Sequence, residues 1–133
     1  MPQPADTKHV ESILPHDEKG PAQARATVTE AMAGLPADAV DTARLLVTEL
    51  VTNSVKHTPT QTADDIRMRL AIRGDTLRVE VRDRGERSPI IRSEEQRRDG
   101  SGFGLYLVDQ LASEWGIGSA DPGHVVWFEL GLR

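Results

Sequence analysis

The chain contains no cysteine. Disulfides, thiolate metal sites and cysteine nucleophiles are excluded, and a reducing compartment is expected. Long apolar runs are also missing, so no segment is expected to cross a bilayer as a helix. Basic charge is not in excess: 16 Lys and Arg stand against 21 Asp and Glu, a formal net charge of -5. That balance argues against direct binding to nucleic acid or to an anionic membrane. Met1-Pro-Gln-Pro-Ala-Asp6 has neither the basic nor the apolar segment of a signal peptide, and the expected setting is cytoplasmic. The histidines show no metal-ligand spacing. His9, His16 and His124 scatter through loops and strand ends and read as ordinary surface residues. With 133 residues the chain has room for one domain with a real core, not for two.

What is present is clear periodicity. Residues 1–6 read as a loose tail ahead of a single domain over 7–133. Val10, Ile13 and Leu14 predict a short edge strand ended by Pro15. Pro21 sits where a first helical turn tolerates proline. Ala22 to Ala33 then reads as a helix with Ala24, Val28, Ala31 and Met32 inside and Gly34 as its stop. Asp38 is placed to cap a second helix that runs to His57, before Thr58-Pro59. In that helix Ala43, Leu46, Val47, Leu50, Val51, Ser54 and Val55 form an apolar or small stripe. Glu49 and Asn53 are one turn apart on a neighbouring stripe, with Lys56 and His57 beyond them. A carboxylate and a carboxamide so spaced offer a proton acceptor and a neutral metal-ligand oxygen. An isolated Glu-x-x-x-Asn would otherwise read as a solvated polar face.

Ile66 to Arg73 alternates apolar and basic residues, and Leu77 to Arg82 alternates in the same way. Gly74-Asp75 between them predicts a two-residue hairpin turn. That turn sets Ile72 against Leu77, Leu70 against Val79 and Met68 against Val81, all on one face. Asp83, two residues past Val81, then points to the covered side, where a carboxylate needs a partner. On the opposite side Arg69 faces Glu80, and Arg67 faces Arg82. The like pair calls for screening by solvent, a carboxylate such as Glu129 from a neighbouring strand, or an acidic surface of a partner or second subunit.

Arg84 to Asp99 is charged and aperiodic and reads as a mobile loop. Gly100-Ser-Gly102-Phe-Gly104 follows and leads into a helix carrying Leu105, Val108, Leu111 and Ala112. Small residues before a helix start let an anion reach unpaired N–H groups. No strand runs directly into these glycines and the Gly-Lys-Ser/Thr ending is absent, so neither a dinucleotide fingerprint nor a Walker loop is present. Trp115 to Ser119 and Val125 to Leu132 read as strands, with Trp115 and Trp127 as core or sheet-edge residues.

Three stretches in this order, Glu49…Asn53 on a helix, Asp83-Arg-Gly85 after a strand, and Gly100-x-Gly-x-Gly104-Leu105 before a helix, resemble the nucleotide site of the GHKL ATPase superfamily. That superfamily includes gyrase and the histidine kinases. The phrase Glu-Leu-Val-Thr-Asn-Ser-Val-Lys-His at 49–57 and the chain's size resemble its small branch of anti-sigma-factor serine/threonine kinases. The likeness extends from Pro21 to Val126-Trp-Phe-Glu-Leu130. It implies an α/β sandwich: a mixed, mainly antiparallel sheet with helices packed on one face. It also implies ATP and Mg²⁺, with Asn53 on the metal and Glu49 as general base toward a serine or threonine hydroxyl. Asp83 would meet the adenine amino group beside Gly85. Gly100, Gly102, Gly104 and Leu105 would border the phosphates, and residues 86–99 would form a lid. Arg87 departs from the superfamily's Asp-x-Gly-x-Gly pattern, in which a second glycine is usual. The implied partners are a sigma factor and a small antagonist protein that receives the phosphoryl group, and homodimers occur in that branch. The alternative is a non-catalytic ATP-binding regulator that switches partners through its lid.

Overall fold

The computed structural model describes residues 8–57, 66–83, 103–119 and 123–132. Their elements run β1 (Lys8–Leu14), α1 (Lys19–Ala31), α2 (Ala37–His57), β2 (Ile66–Arg73), β3 (Thr76–Asp83), α3 (Phe103–Leu111), β4 (Glu114–Ser119) and β5 (His124–Gly131). The strands form one five-stranded sheet in the order β1-β2-β3-β5-β4. Every described pairing is antiparallel. The result is an α+β sandwich with the helices on one face, as the resemblance implied, and the described sheet is antiparallel throughout rather than mixed.

Period-two alternation in the strands creates that single covered face. Met68, Leu70, Val79, Val81, Val126 and Phe128 are buried on it. α2 lies at the centre of the helical layer, packed on the sheet and between α1 and α3. Its predicted stripe is the buried one: Ala43, Leu46, Val47, Leu50, Val51 and Ser54 are all inside. The predicted inner face of α1, with Ala24, Val28, Ala31 and Met32, is buried as well.

Two helix starts differ from expectation. α1 begins at Lys19, ahead of Pro21. The Lys19 amide donates to Asp17 Oδ1 at 2.8 Å and the Gly20 amide to Asp17 O at 2.9 Å, which starts the helix early. Pro21 still falls in the first turn, where no N–H is needed. α2 begins at Ala37, so Asp38 lies inside its first turn. There its charge faces the positive end of the helix dipole.

The hairpin has the predicted register: Ile72 pairs with Leu77, Leu70 with Val79 and Met68 with Val81. Gly74 has φ 57°, the left-handed conformation that such a turn needs. On the uncovered face the side-chain partners differ from those expected. Arg69 and Glu80 are opposite in register, yet Arg69 bonds Glu11 of β1 at 3.2 Å. Glu80 instead bonds Arg78, two residues away on its own strand, at 3.0 Å. Glu129, the candidate partner for the Arg67–Arg82 pair, also bonds Arg78 at 3.0 Å. The cause is the sheet order: β5 lies beside β3 and sets Glu129 directly opposite Arg78. The guanidinium further stacks over Trp127, 4.1 Å from the ring centroid. Partial burial pulls the Arg78 pKa down, but hydrogen bonds and charge from Glu80 and Glu129 outweigh it, and the net shift is upward.

Arg67 and Arg82 face each other, are exposed, and form no ion pair among the described residues. Arg67→Glu is expected to convert this repulsion into a cross-strand attraction of a few tenths of a kcal/mol. The melting temperature should rise by about 1–3 °C at low ionic strength, and the gain should shrink in molar salt. A lower melting temperature at low salt would contradict the facing geometry.

Candidate functional site

The second half of α2 carries Glu49 and Asn53 one turn apart, both half-buried. The next residue, Ser54, belongs to the stripe that faces the sheet and is 4% exposed. Asp83 is the last residue of β3 and is 5% exposed, on the same covered face as Val79 and Val81. The Ser54 hydroxyl donates to Asp83 Oδ2 at 2.8 Å. Strand alternation thus drives a carboxyl group under the helical layer, and a serine in an otherwise apolar stripe meets it there. This contact brings Asp83 against the turn of α2 that bears Asn53.

α3 packs alongside α2, with Leu105 and Val108 in the core. Leu105 is 2% exposed, so its side chain anchors the beginning of α3 among apolar residues. Gly104 lies in the first turn of that helix. Gly85, Gly100, Gly102, Arg87 and the predicted lid at 86–99 lie outside the described residues. Of the sequence-derived set, Asp83 meets the turn of α2 that bears Asn53, Glu49 lies one turn earlier on that helix, and Gly104 and Leu105 lie on the helix beside it.

Two residues at this end of the sheet were not singled out in that set. In the sequence Ser54 reads only as a small residue of the stripe. A hydroxyl among buried aliphatic side chains was the available signal. His124 is the first residue of β5 and pairs directly with Asp83. It is half-buried, and its Nε2 is buried with no hydrogen-bond partner among the described residues. His16 Nε2 shares that state, whereas His9 is exposed. The expectation of ordinary surface histidines is thus corrected at 16 and 124, both half-buried with Nε2 covered; at 124 the cause is the pairing of β5 with β3, which the sequence does not reveal. No group of three or more His, Cys, Asp or Glu converges as a metal site among the described residues.

A cavity of about 420 Å³ lies elsewhere, between β1 and α1, and is lined by residues including Lys8, Ser12, Thr27 and Glu30. Lys8 Nζ is engaged there, donating to Ala31 O at the end of α1 at 3.0 Å. No helix among the described residues is long and apolar enough to cross a membrane.

Comparison with known proteins defines the class. The histidine kinase-like ATPase domain family matches residues 14–130, and the chain belongs to that family. Among solved structures it is similar to the RsbU and RsbW domains of Rv1364c from Mycobacterium tuberculosis, with 22% identity and a TM-score of 0.74. That match covers 94% of this chain and 32% of the other. The blue-light activated histidine kinase of Erythrobacter litoralis EL346 matches at 21% identity and TM-score 0.52, over 84% of this chain and 40% of that one. Its separate histidine kinase domain gives 21% and 0.54, over 84% of this chain and 59% of that one. The chain thus spans less than two thirds of each of these structures, and at such identities the likeness is one of fold. No match was found among the curated proteins.

Ser54→Ala is expected to lower unfolding free energy by about 1–3 kcal/mol, since it removes a hydroxyl that donates to a buried carboxyl oxygen. Ser54→Thr, which retains the hydroxyl, should lose much less. Urea unfolding measures both, and equal midpoints for the wild type and Ser54→Ala would mean that the contact adds nothing.

Proposed function

We propose that this protein is an ATP- and Mg²⁺-dependent serine/threonine protein kinase of the anti-sigma type, which binds a sigma factor and phosphorylates a small antagonist protein. One observation carries the reading: a buried Asp83 held by Ser54 against the turn of α2 that bears Asn53, with Glu49 one turn earlier. Membership of the histidine kinase-like ATPase family supports it.

The residues present fit the groups that the family implies. An acceptor such as the Asp83 carboxyl, shielded from water, suits the amino group of adenine. A single carboxamide, Asn53, is a weak metal site by itself. It suits Mg²⁺ delivered on nucleotide phosphates, because that ion keeps several waters and takes few protein ligands. When bound, the ion would neutralise phosphate charge. Glu49 would accept the proton of a serine or threonine hydroxyl at its carboxylate, and α2 would keep it one turn from Asn53. The first turn of α3, which holds Gly104, with Gly100 and Gly102 before it, would offer N–H groups and a positive dipole end to phosphate oxygens. Residues 86–99 would close over the nucleotide, 7–133 would act as one domain, and a homodimer and a cytoplasmic setting are part of the same reading.

The non-catalytic alternative needs Asn53 and Asp83 but no base at 49, so Glu49 separates the two. Glu49→Ala should leave ATP affinity by calorimetry within about tenfold and cut transfer from γ-labelled ATP to an antagonist protein by about 10²-fold or more. Asn53→Ala should weaken Mg²⁺-ATP binding itself. Undiminished partner-dependent activity in Glu49→Ala would favour the regulator that only binds nucleotide.

Asp83→Asn should weaken ATP far more than GTP, because a carboxamide can also donate to a guanine carbonyl. Calorimetry with both nucleotides checks this. A wild type that binds neither ATP nor ADP with Mg²⁺ would remove the reading altogether.

A further inference from the structure

We propose that the uncovered face of the sheet docks an acidic protein segment, at a strip formed by Ile13, Arg67, Arg82 and Val125. The strip lies on the side of the sheet away from the helices, and the inference does not depend on the nucleotide reading.

Register builds the strip. Ile13 pairs with Arg67, Arg67 with Arg82, and Arg82 with Val125, across β1, β2, β3 and β5. Direct partners in a ladder leave the sheet on the same side. The chain neighbours of the two arginines, Ile66, Met68, Val81 and Asp83, are buried on the helical side, so the strip is on the other. Both arginines are exposed, Ile13 is 57% exposed and Val125 is half-buried. Four side chains from four strands thus form one open row.

Charge is the second support. The carboxylates of the adjoining rows are already engaged. Glu11 holds Arg69 at 3.2 Å, and Glu80 and Glu129 each hold Arg78 at 3.0 Å. Arg67 and Arg82 are left without an ion pair among the described residues, on a chain whose net charge is -5. Like charges directly opposite each other work against the pairing of β2 with β3. A carboxylate from outside removes that repulsion, and a guanidinium can give it two parallel N–H bonds. A pocket of about 110 Å³ lies at the pair, with Arg67, Arg82, Arg69, Glu11 and Glu80 in its lining. It has room for a carboxylate group, and its own two carboxylates are neutralised by Arg69 and Arg78.

The neighbours of the arginines choose the occupant. Across the strands the row reads apolar, basic, basic, apolar. That order fits a protein segment with adjacent carboxylates between aliphatic side chains. A nucleic acid would set its phosphates against Glu11, Glu80 and Glu129 on the same face and meet only two arginines in the strip.

Fluorescence anisotropy tests this on the intact chain at low ionic strength. The probe is a labelled peptide of repeated Leu-Glu-Glu, and the control peptide carries lysine in place of each glutamate. The wild type should bind the acidic peptide about tenfold tighter than the control or better, and the preference should fall in molar salt. Arg67→Ser with Arg82→Ser should weaken the acidic peptide by about tenfold or more, the scale of a charge-assisted hydrogen bond. Ile13→Ser should weaken it as well. Arg73→Ser, which removes an exposed arginine at the far end of β2, should leave it unchanged. Arg67→Glu with Arg82→Glu should exchange the preference, so that the lysine peptide binds better. Undiminished binding in Arg67→Ser with Arg82→Ser would overturn the strip, and so would a wild type that binds both peptides alike. Sedimentation of the same proteins adds a third such outcome: a wild-type dimer split by these serine substitutions would make the face an interface between copies. Arg67→Glu alone is expected to raise the melting temperature, so lost binding in that variant, checked by its melting curve, reports the strip and not the fold.

Discussion

The contact on which the rest of the site depends is the hydrogen bond from Ser54 to Asp83. A carboxyl group at 5% exposure under an apolar layer is costly unless it is paired. Its donor comes from the helix that also carries Glu49 and Asn53. One bond therefore does two things: it helps to offset the burial of the Asp83 carboxyl, and it ties α2 to the end of β3. Moving α2 by one residue would put Asn53 or Val55 in the place of Ser54 and rotate the flank that bears Glu49.

The same helix is the centre of the packing. α2 touches α1, α3 and three strands, so its apolar stripe holds the sandwich together while its flank bears the polar residues. The division follows from 3.6-residue periodicity, which places Ser54 inside and Asn53 at its margin. The opposite face of the sheet is organised by charge. Arg78 there gathers Glu80, Glu129 and the Trp127 ring, leaving Arg67 and Arg82 facing each other in solvent.

Belonging to the histidine kinase-like ATPase family supports the proposed nucleotide site at the sheet end beneath the helical layer. The proposed kinase chemistry asks little of the protein beyond positioning and charge neutralisation. Few residues are needed for that, and they come from distant parts of the chain: Glu49 and Asn53 from one helix and Asp83 from a strand.

Much of this was legible in the sequence, because the signals are local. The alternation at 66–82 and the Gly74-Asp75 turn determined the hairpin, its register and the inward direction of Asp83. Helical spacing determined the buried faces of α1 and α2 and the pairing of Glu49 with Asn53 along one flank. What only the tertiary structure decided was non-local. It chose β5 as the neighbour of β3, which gave Glu129 to Arg78 rather than to the Arg67–Arg82 pair. It set Ser54 within 2.8 Å of a residue 29 positions away in the chain. It also put His124 opposite Asp83, with a ring nitrogen buried where the sequence implied an exposed histidine. The reason is physical. Side-chain period depends on near neighbours in the chain, whereas strand order and interlayer contacts depend on which distant surfaces bury each other best.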